Sequence, residues 1–268
     1  MRWRRPFCVW GRFAFGARLR LATFRARFCK KSLCNFGYKA LEHTTMTAEI
    51  MTPVQAAHTV IETITQMAQE QRPLMLRVVP EDGAKFWTHY PKADARDKHC
   101  KSRWYYHVHA PGSREADEHG HFHLFLHRTQ LPKGLEPKVW PPQGEEAKAH
   151  VTHLIALSID TNGIPRSWFS VNRFVTNEFL YPAETMIDHL PQFNVDHTKE
   201  DDCVNRFVTA MVALYREEIA DLLRERDAQH AALVAEHGDE AYEKASEVEV
   251  LSSIPIDLDA KIGGMDLG

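Results

Sequence analysis

Two stretches of strict alternation constrain this 268-residue chain more than any other feature. In "WYYHVH" (Trp104 to His109) and "HGHFHLFLH" (His119 to His127), side chains suited to a core alternate with imidazoles or tyrosine. Successive residues of a strand point to opposite faces, so such runs suit a sheet and not a helix. By parity, Trp104, Tyr106 and Val108 share one face of the first strand, and Phe122, Leu124 and Leu126 share one face of the second. Tyr105, His107 and His109 then fall on the opposite face of the first, with His119, His121, His123, Phe125 and His127 on that of the second. If both apolar faces meet one core, the strands pair as an antiparallel hairpin with His109 opposite His119 or His121. A slip of one residue would turn imidazoles into the core.

A second hairpin is expected in "VTHLIALSIDTNGIPRSWFSV", where Asn162 and Gly163 form a strong turn signal. Pro165 predicts that its second strand begins late or lies at an edge. Ahead of both hairpins, "TPVQAAHTVIETITQMAQEQRP" opens with Thr52 at N-cap, Pro53 at the first helical position and Gln55 at capping-box spacing. Val54, Ala57, Val60, Ile61, Ile64 and Met67 make this an amphipathic helix, with His58 at its edge. The run Leu74 to Val79 is readable as a strand or a helical turn. A long helical pattern covers about Asp201 to His237, with a stripe of Phe207, Val208, Met211, Tyr215, Ile219, Leu222 and Leu223, and Gly238 ends it. The tail "VEVLSSIPIDLDAKI" is apolar enough to return as a strand or short helix. Together these elements predict an α+β fold: an antiparallel sheet built from two hairpins, packed by an N-terminal amphipathic helix and a long C-terminal helix. One domain is expected over residues 46–268, its C-terminal helical region more polar.

Charge is uneven along the chain. The net charge of -3 conceals a leader, residues 1–45, crowded with Arg and Lys and holding Glu42 as its one acid. It is readable as a transit-like peptide, as a basic arm, or as an upstream extension with Met46 or Met51 as the working start; the last is preferred, because Met51 directly precedes the helix start. The acidic body carries no excess of positive charge for nucleic acid. No run approaches the roughly 20 apolar residues of a membrane span. Three of five cysteines (Cys8, Cys29, Cys34) lie in the leader, and no CxxC pair links Cys100 or Cys203, which favours a reducing, cytoplasmic location.

The histidine face is where chemistry is expected. A merely solvated strand face draws on Lys, Glu, Thr and Arg, whereas His107, His109, His119, His121 and His123 repeat one metal-capable residue type across two adjacent strands. Opposed Cβ atoms lie roughly 5 Å apart, within the span of imidazoles converging on one ion. His153 on the next hairpin, Glu118, and the pair Asp94 and Asp97 are candidate further ligands, with Glu118, Asp94 and His121 as candidate catalytic groups. Asn172, Arg173 and Glu178 are candidates to line a pocket beside them. Imidazoles with carboxylates suit Zn, Fe, Ni or Cu, and the sequence does not choose among them. The implied partner is a small molecule.

"HGHFHLF" resembles the HxHxHxx signature of the histidine triad nucleotide hydrolases and transferases. That resemblance implies His121 as nucleophile, with His119 and His123 in support, although Gly120 stands where that family has an apolar residue. A broader resemblance covers most of the body. "FWTHYPKADARD", "YYHVHAP", "EHGHFHLF", "HLIALSID" with "GIP", and "NRFVTNE" look like an uncharacterised bacterial family, a domain of unknown function, for which no activity is established. The preferred reading is a histidine-rich metal-binding protein, extending to a metal-dependent enzyme. A histidine-triad-like enzyme and a non-catalytic ligand- or protein-binding module stay open beside it.

Overall fold

The computed structural model describes residues 50–113, 117–147, 149–238 and 248–268. The leader, and with it every expectation about residues 1–45, lies outside the described residues, as does the end of the polar helical region at 239–247. The described elements belong to one compact unit, residues 47–268.

Helix α1 (Pro53–Gln69) begins as expected: the Thr52 hydroxyl accepts from the Gln55 amide, and the Gln55 side chain accepts from Thr52 N–H. Its buried stripe is Ala56, Ala57, Val60, Thr63 and Met67. The helix is thus rotated from the expected setting, and Val54, Ile61 and Ile64 reach solvent. The run after Pro73 resolves as a helical turn, α2 (Leu74–Val78).

Six strands follow in a meander, each antiparallel to the next: β1 (Tyr90–Arg96), β2 (Arg103–His107), β3 (Glu118–His127), β4 (Val151–Asp160), β5 (Pro165–Val171) and β6 (Val250–Pro255). The expected hairpins are β2–β3 and β4–β5, the latter turning at Asn162–Gly163, where Gly163 takes φ 84°. Pro165 is the first residue of β5, and β5 is interior, between β4 and β6. β1 was hidden within an aromatic and acidic segment, and it enlarges the sheet beyond two hairpins.

Between β5 and β6 lie α3 (Arg173–Thr176), α4 (Ala183–His189), α5 (Asp202–Leu214) and α6 (Arg216–His237). The long C-terminal pattern is therefore two helices broken at Tyr215, whose φ -104° and ψ 26° leave the helical region. Gly238 ends α6 as expected, with φ 57°. A last turn, α7 (Leu258–Gly263), follows β6. α5 packs on α1, and α6 on β5 and β6. The main core holds Trp104, Tyr106, Phe122, Leu124, Leu157 and Trp168 from the sheet, with Phe207, Met211 and Leu223 from the helices. Fully burying each of these side chains contributes about 1.5–3 kcal/mol or more. This core lies on one face of the sheet, and His107, His121 and His123 lie on the other.

Candidate metal centre

The β2–β3 register pairs Tyr105 with His123 and His107 with His121. β2 ends at His107, so His109 lies beyond the paired ladder. On the face opposite the main core, imidazole nitrogens converge. Nε2 of His107 lies 2.8 Å from Nε2 of His121, and Nε2 of His121 lies 3.1 Å from Nε2 of His123. Nε2 of His109 lies 3.2 Å from that of His107. His107, His121 and His123 are buried, so the face is enclosed, covered in part by Phe169, whose ring sits edge-on to His121.

Each ring nitrogen carries one proton or one lone pair in the ring plane, so Nε2 of His121 cannot satisfy two other nitrogens by hydrogen bonding. A cation removes that conflict. Nitrogens held tetrahedrally at 2.0–2.1 Å from an ion are about 3.3 Å apart, close to the separations of 2.8, 3.1 and 3.2 Å found here. The trio His107, His121 and His123 has the spacing of a metal-ligand set, its donor atoms all within 4.8 Å of one another.

Outer groups orient the rings. Glu118 Oε1 lies 2.8 Å from Nδ1 of His121, and Ser158 Oγ donates to Glu118 Oε2 at 2.8 Å. An Nδ1–H donated to this carboxylate leaves the lone pair of His121 on Nε2, where a ligand needs it. Nδ1 of His123 lies 2.9 Å from Nε2 of His153, which orients His123 in the same way. His153 therefore stands behind His123 and not among the converging Nε2 atoms. Burial, then the neighbouring imidazoles of His121, His109 and His89, pushes His107 down to about 2. Burial, then Arg226 and His121, pushes His153 down to about 3. His123 is lowered well below its ordinary value, chiefly by burial. Neutral imidazoles are the form that binds metal.

A model of a domain of unknown function, DUF6969, matches residues 54–256, from the first turn of α1 to the residue after β6. The chain belongs to this family. No curated protein and no solved structure matches it. The DUF6969 domain thus brings no activity with its membership, and its chemistry has to be read from the site.

Two bulges decide which residues join that site. Glu118 pairs with Asp160 and Gly120 with Ile159, so His119 is the extra residue of β3. The bulge turns Glu118 toward His121 and sends His119 to the other side, where its Nδ1 meets the Tyr106 hydroxyl at 2.8 Å. This corrects the parity reading at His119, and it separates His119 from the His121–His123 pair that a histidine triad requires. The second bulge makes Leu154 the extra residue of β4 and keeps His153 on the imidazole face.

Gly120 permits the first bulge. A Cβ there would lie 2.3 Å from the His107 carbonyl oxygen and 2.7 Å from the Tyr106 hydroxyl. The signal was present in the sequence, since an isolated glycine inside a strand pattern marks a bulge or a close backbone approach.

Asp94 is apart from the nitrogens: its carboxylate lies 3.3 Å from His89 Nδ1 and accepts from Arg103 at 3.4 Å. His89 in turn stacks on Tyr105, ring centroids 3.7 Å apart. Asp97 accepts from the amides of His99, Cys100 and His197. Arg173, Glu178 and His153 line one small cavity of about 10 Å³, room for roughly one water. Burial raises Glu178 to about 7, with Arg103 opposing. Asn172 does not line it; its amide donates to the Val248 carbonyl. His127 is peripheral, capping the turn at Thr129.

Among the described residues no helix is long and apolar enough to cross a membrane.

Proposed function

We propose that this DUF6969 domain is a transition-metal protein, and that the metal serves catalysis on a small molecule. His107, His121 and His123 hold the ion and His109 supplies a fourth imidazole, while Glu118 and His153 set ring orientation from behind. The observation that carries this reading is the convergence of imidazole nitrogens at 2.8 to 3.2 Å. Without a cation, Nε2 of His121 faces two other imidazole nitrogens and can pair with one of them. Zn, Fe, Ni and Cu all accept an imidazole set, and a bound ion would supply Lewis acidity or redox capacity. What the chain itself contributes is an enclosed pocket, neutral rings, and a carboxylate, Glu118, that holds the His121 proton at Nδ1.

The test is elemental analysis of the purified chain and of the His121→Ala, His123→Ala double variant. About one ion per chain is expected in the native protein and none in the variant. A native protein that takes up no ion from Zn, Fe, Ni or Cu, and a double variant of unchanged stability, would refute the reading.

A further inference from the structure

Beside the imidazole cluster lies a cavity of about 430 Å³, within the size range of small-molecule sites. Phe86, Val108 and Pro111 give it an apolar wall, and His109, Glu118 and His119 give it a polar one. Two of these polar residues border the metal centre directly: His109 through its Nε2 at 3.2 Å from His107, and Glu118 through its contact with His121.

The third, His119, is the residue the bulge takes out of the cluster. Its tautomer follows from its partner. The Tyr106 residue is fully buried, and its hydroxyl hydrogen has His119 Nδ1, 2.8 Å away, as its acceptor among the described residues. A buried hydroxyl that did not donate would be left unsatisfied at a cost, so Nδ1 accepts and the ring proton sits on Nε2. Nε2 of His119 has no hydrogen-bond partner among the described residues. It is a fixed N–H donor on the wall of a cavity that adjoins the proposed ion. Charge selects the acceptor. Neutral imidazoles leave a divalent ion uncompensated, and among the described lining residues Glu118 is the one carboxylate. An anionic oxygen is therefore favoured over a neutral or cationic group.

We propose that this cavity takes a small organic carboxylate with an apolar skeleton, its carboxylate accepting from His119 Nε2–H beside the ion and its skeleton lying on Phe86 and Val108. The proposal rests on the metal reading above and assigns that site its substrate class.

Calorimetric titration of the zinc-loaded chain with benzoate, benzamide and benzylamine tests it. Benzoate is expected to bind at least about tenfold more tightly than either analogue, and at least about tenfold more tightly to zinc-loaded than to metal-free protein. His119→Phe keeps a planar ring but removes the donor, and is expected to lose about tenfold in benzoate affinity with its zinc content unchanged. His119→Gln places an amide N–H near the same point and is expected to stay within about threefold. If the chain holds one zinc but benzoate does not saturate it, or binds His119→Phe as well as the native protein, the carboxylate proposal is wrong and the metal reading stands. If no ion from Zn, Fe, Ni or Cu is retained, both fall.

Discussion

Gly120→Ala is the sharpest perturbation of this site, because it adds one methyl group at the point where two strands and the bulge meet. The added carbon would start 2.3 Å from the His107 carbonyl oxygen and 2.7–2.8 Å from the Tyr106 hydroxyl and ring. An ordinary carbon–oxygen contact is about 3.3 Å, well inside the 3.5–4.0 Å optimum for carbon pairs, so about 1 Å of separation has to be created between β2 and β3. Tyr106 is fully buried and cannot swing away, so backbone gives instead. Overpacking of this kind costs about 1–3 kcal/mol, and weakening one ladder hydrogen bond at the His107–His121 pair adds about 1 kcal/mol. The sum of about 2–4 kcal/mol corresponds to a fall of roughly 5–15 °C in Tm for a domain of this size. The same displacement carries the His107 ring away from His121, so metal affinity falls by at least about tenfold, measured by competition against a chromophoric chelator. Gly263→Ala is the control: its Cβ meets nothing within 4 Å, and alanine within α7 is expected to be neutral or slightly stabilising. A Gly120→Ala protein that melts within about 2 °C of the parent and holds its ion equally well would refute both the bulge and its role in placing the ligands.

Glu118→Gln keeps the shape but weakens the acceptor behind His121, and is expected to lower metal affinity by about 10–100-fold with little change in the metal-free melting temperature. Glu178 gives the pH signature. Its carboxyl is raised to about 7 in the folded chain, so between its unfolded value of 4.5 and about 7 the folded state binds the extra proton. Stability from this group is therefore present in mild acid and lost as pH rises through about 7. Glu178→Gln removes the loss, and after allowance for partial solvent screening the variant is expected to gain about 1–2 kcal/mol over the parent at pH 8 and about a quarter of that at pH 5. Denaturant titrations at the two pH values decide it; an equal gain at both would mean that Glu178 is not held neutral.

Alternation made β2 and β3 legible because a half-buried strand has only two faces to distribute residues between, and the capping box made the start of α1 legible because its contacts are local. What stayed hidden depends on distant partners. β1 has no period of its own, since its ladder with β2 shifts register between Tyr90 and Ala95. The rotation of α1 is set by α5, which buries Ala56 and Thr63 in preference to the larger Ile61 and Ile64. The candidate site follows the same division. Parity brings His107, His121 and His123 together without further information, yet it is blind to a bulge, where one inserted residue reverses the facing of everything before it. At Gly120 that reversal exchanges roles: His119, an expected ligand, becomes the partner of Tyr106, and Glu118 turns to His121. A glycine that interrupts an otherwise strict alternation is therefore informative in itself. It marks the position from which parity has to be counted again, and here the recount is what supplies the cluster with its carboxylate.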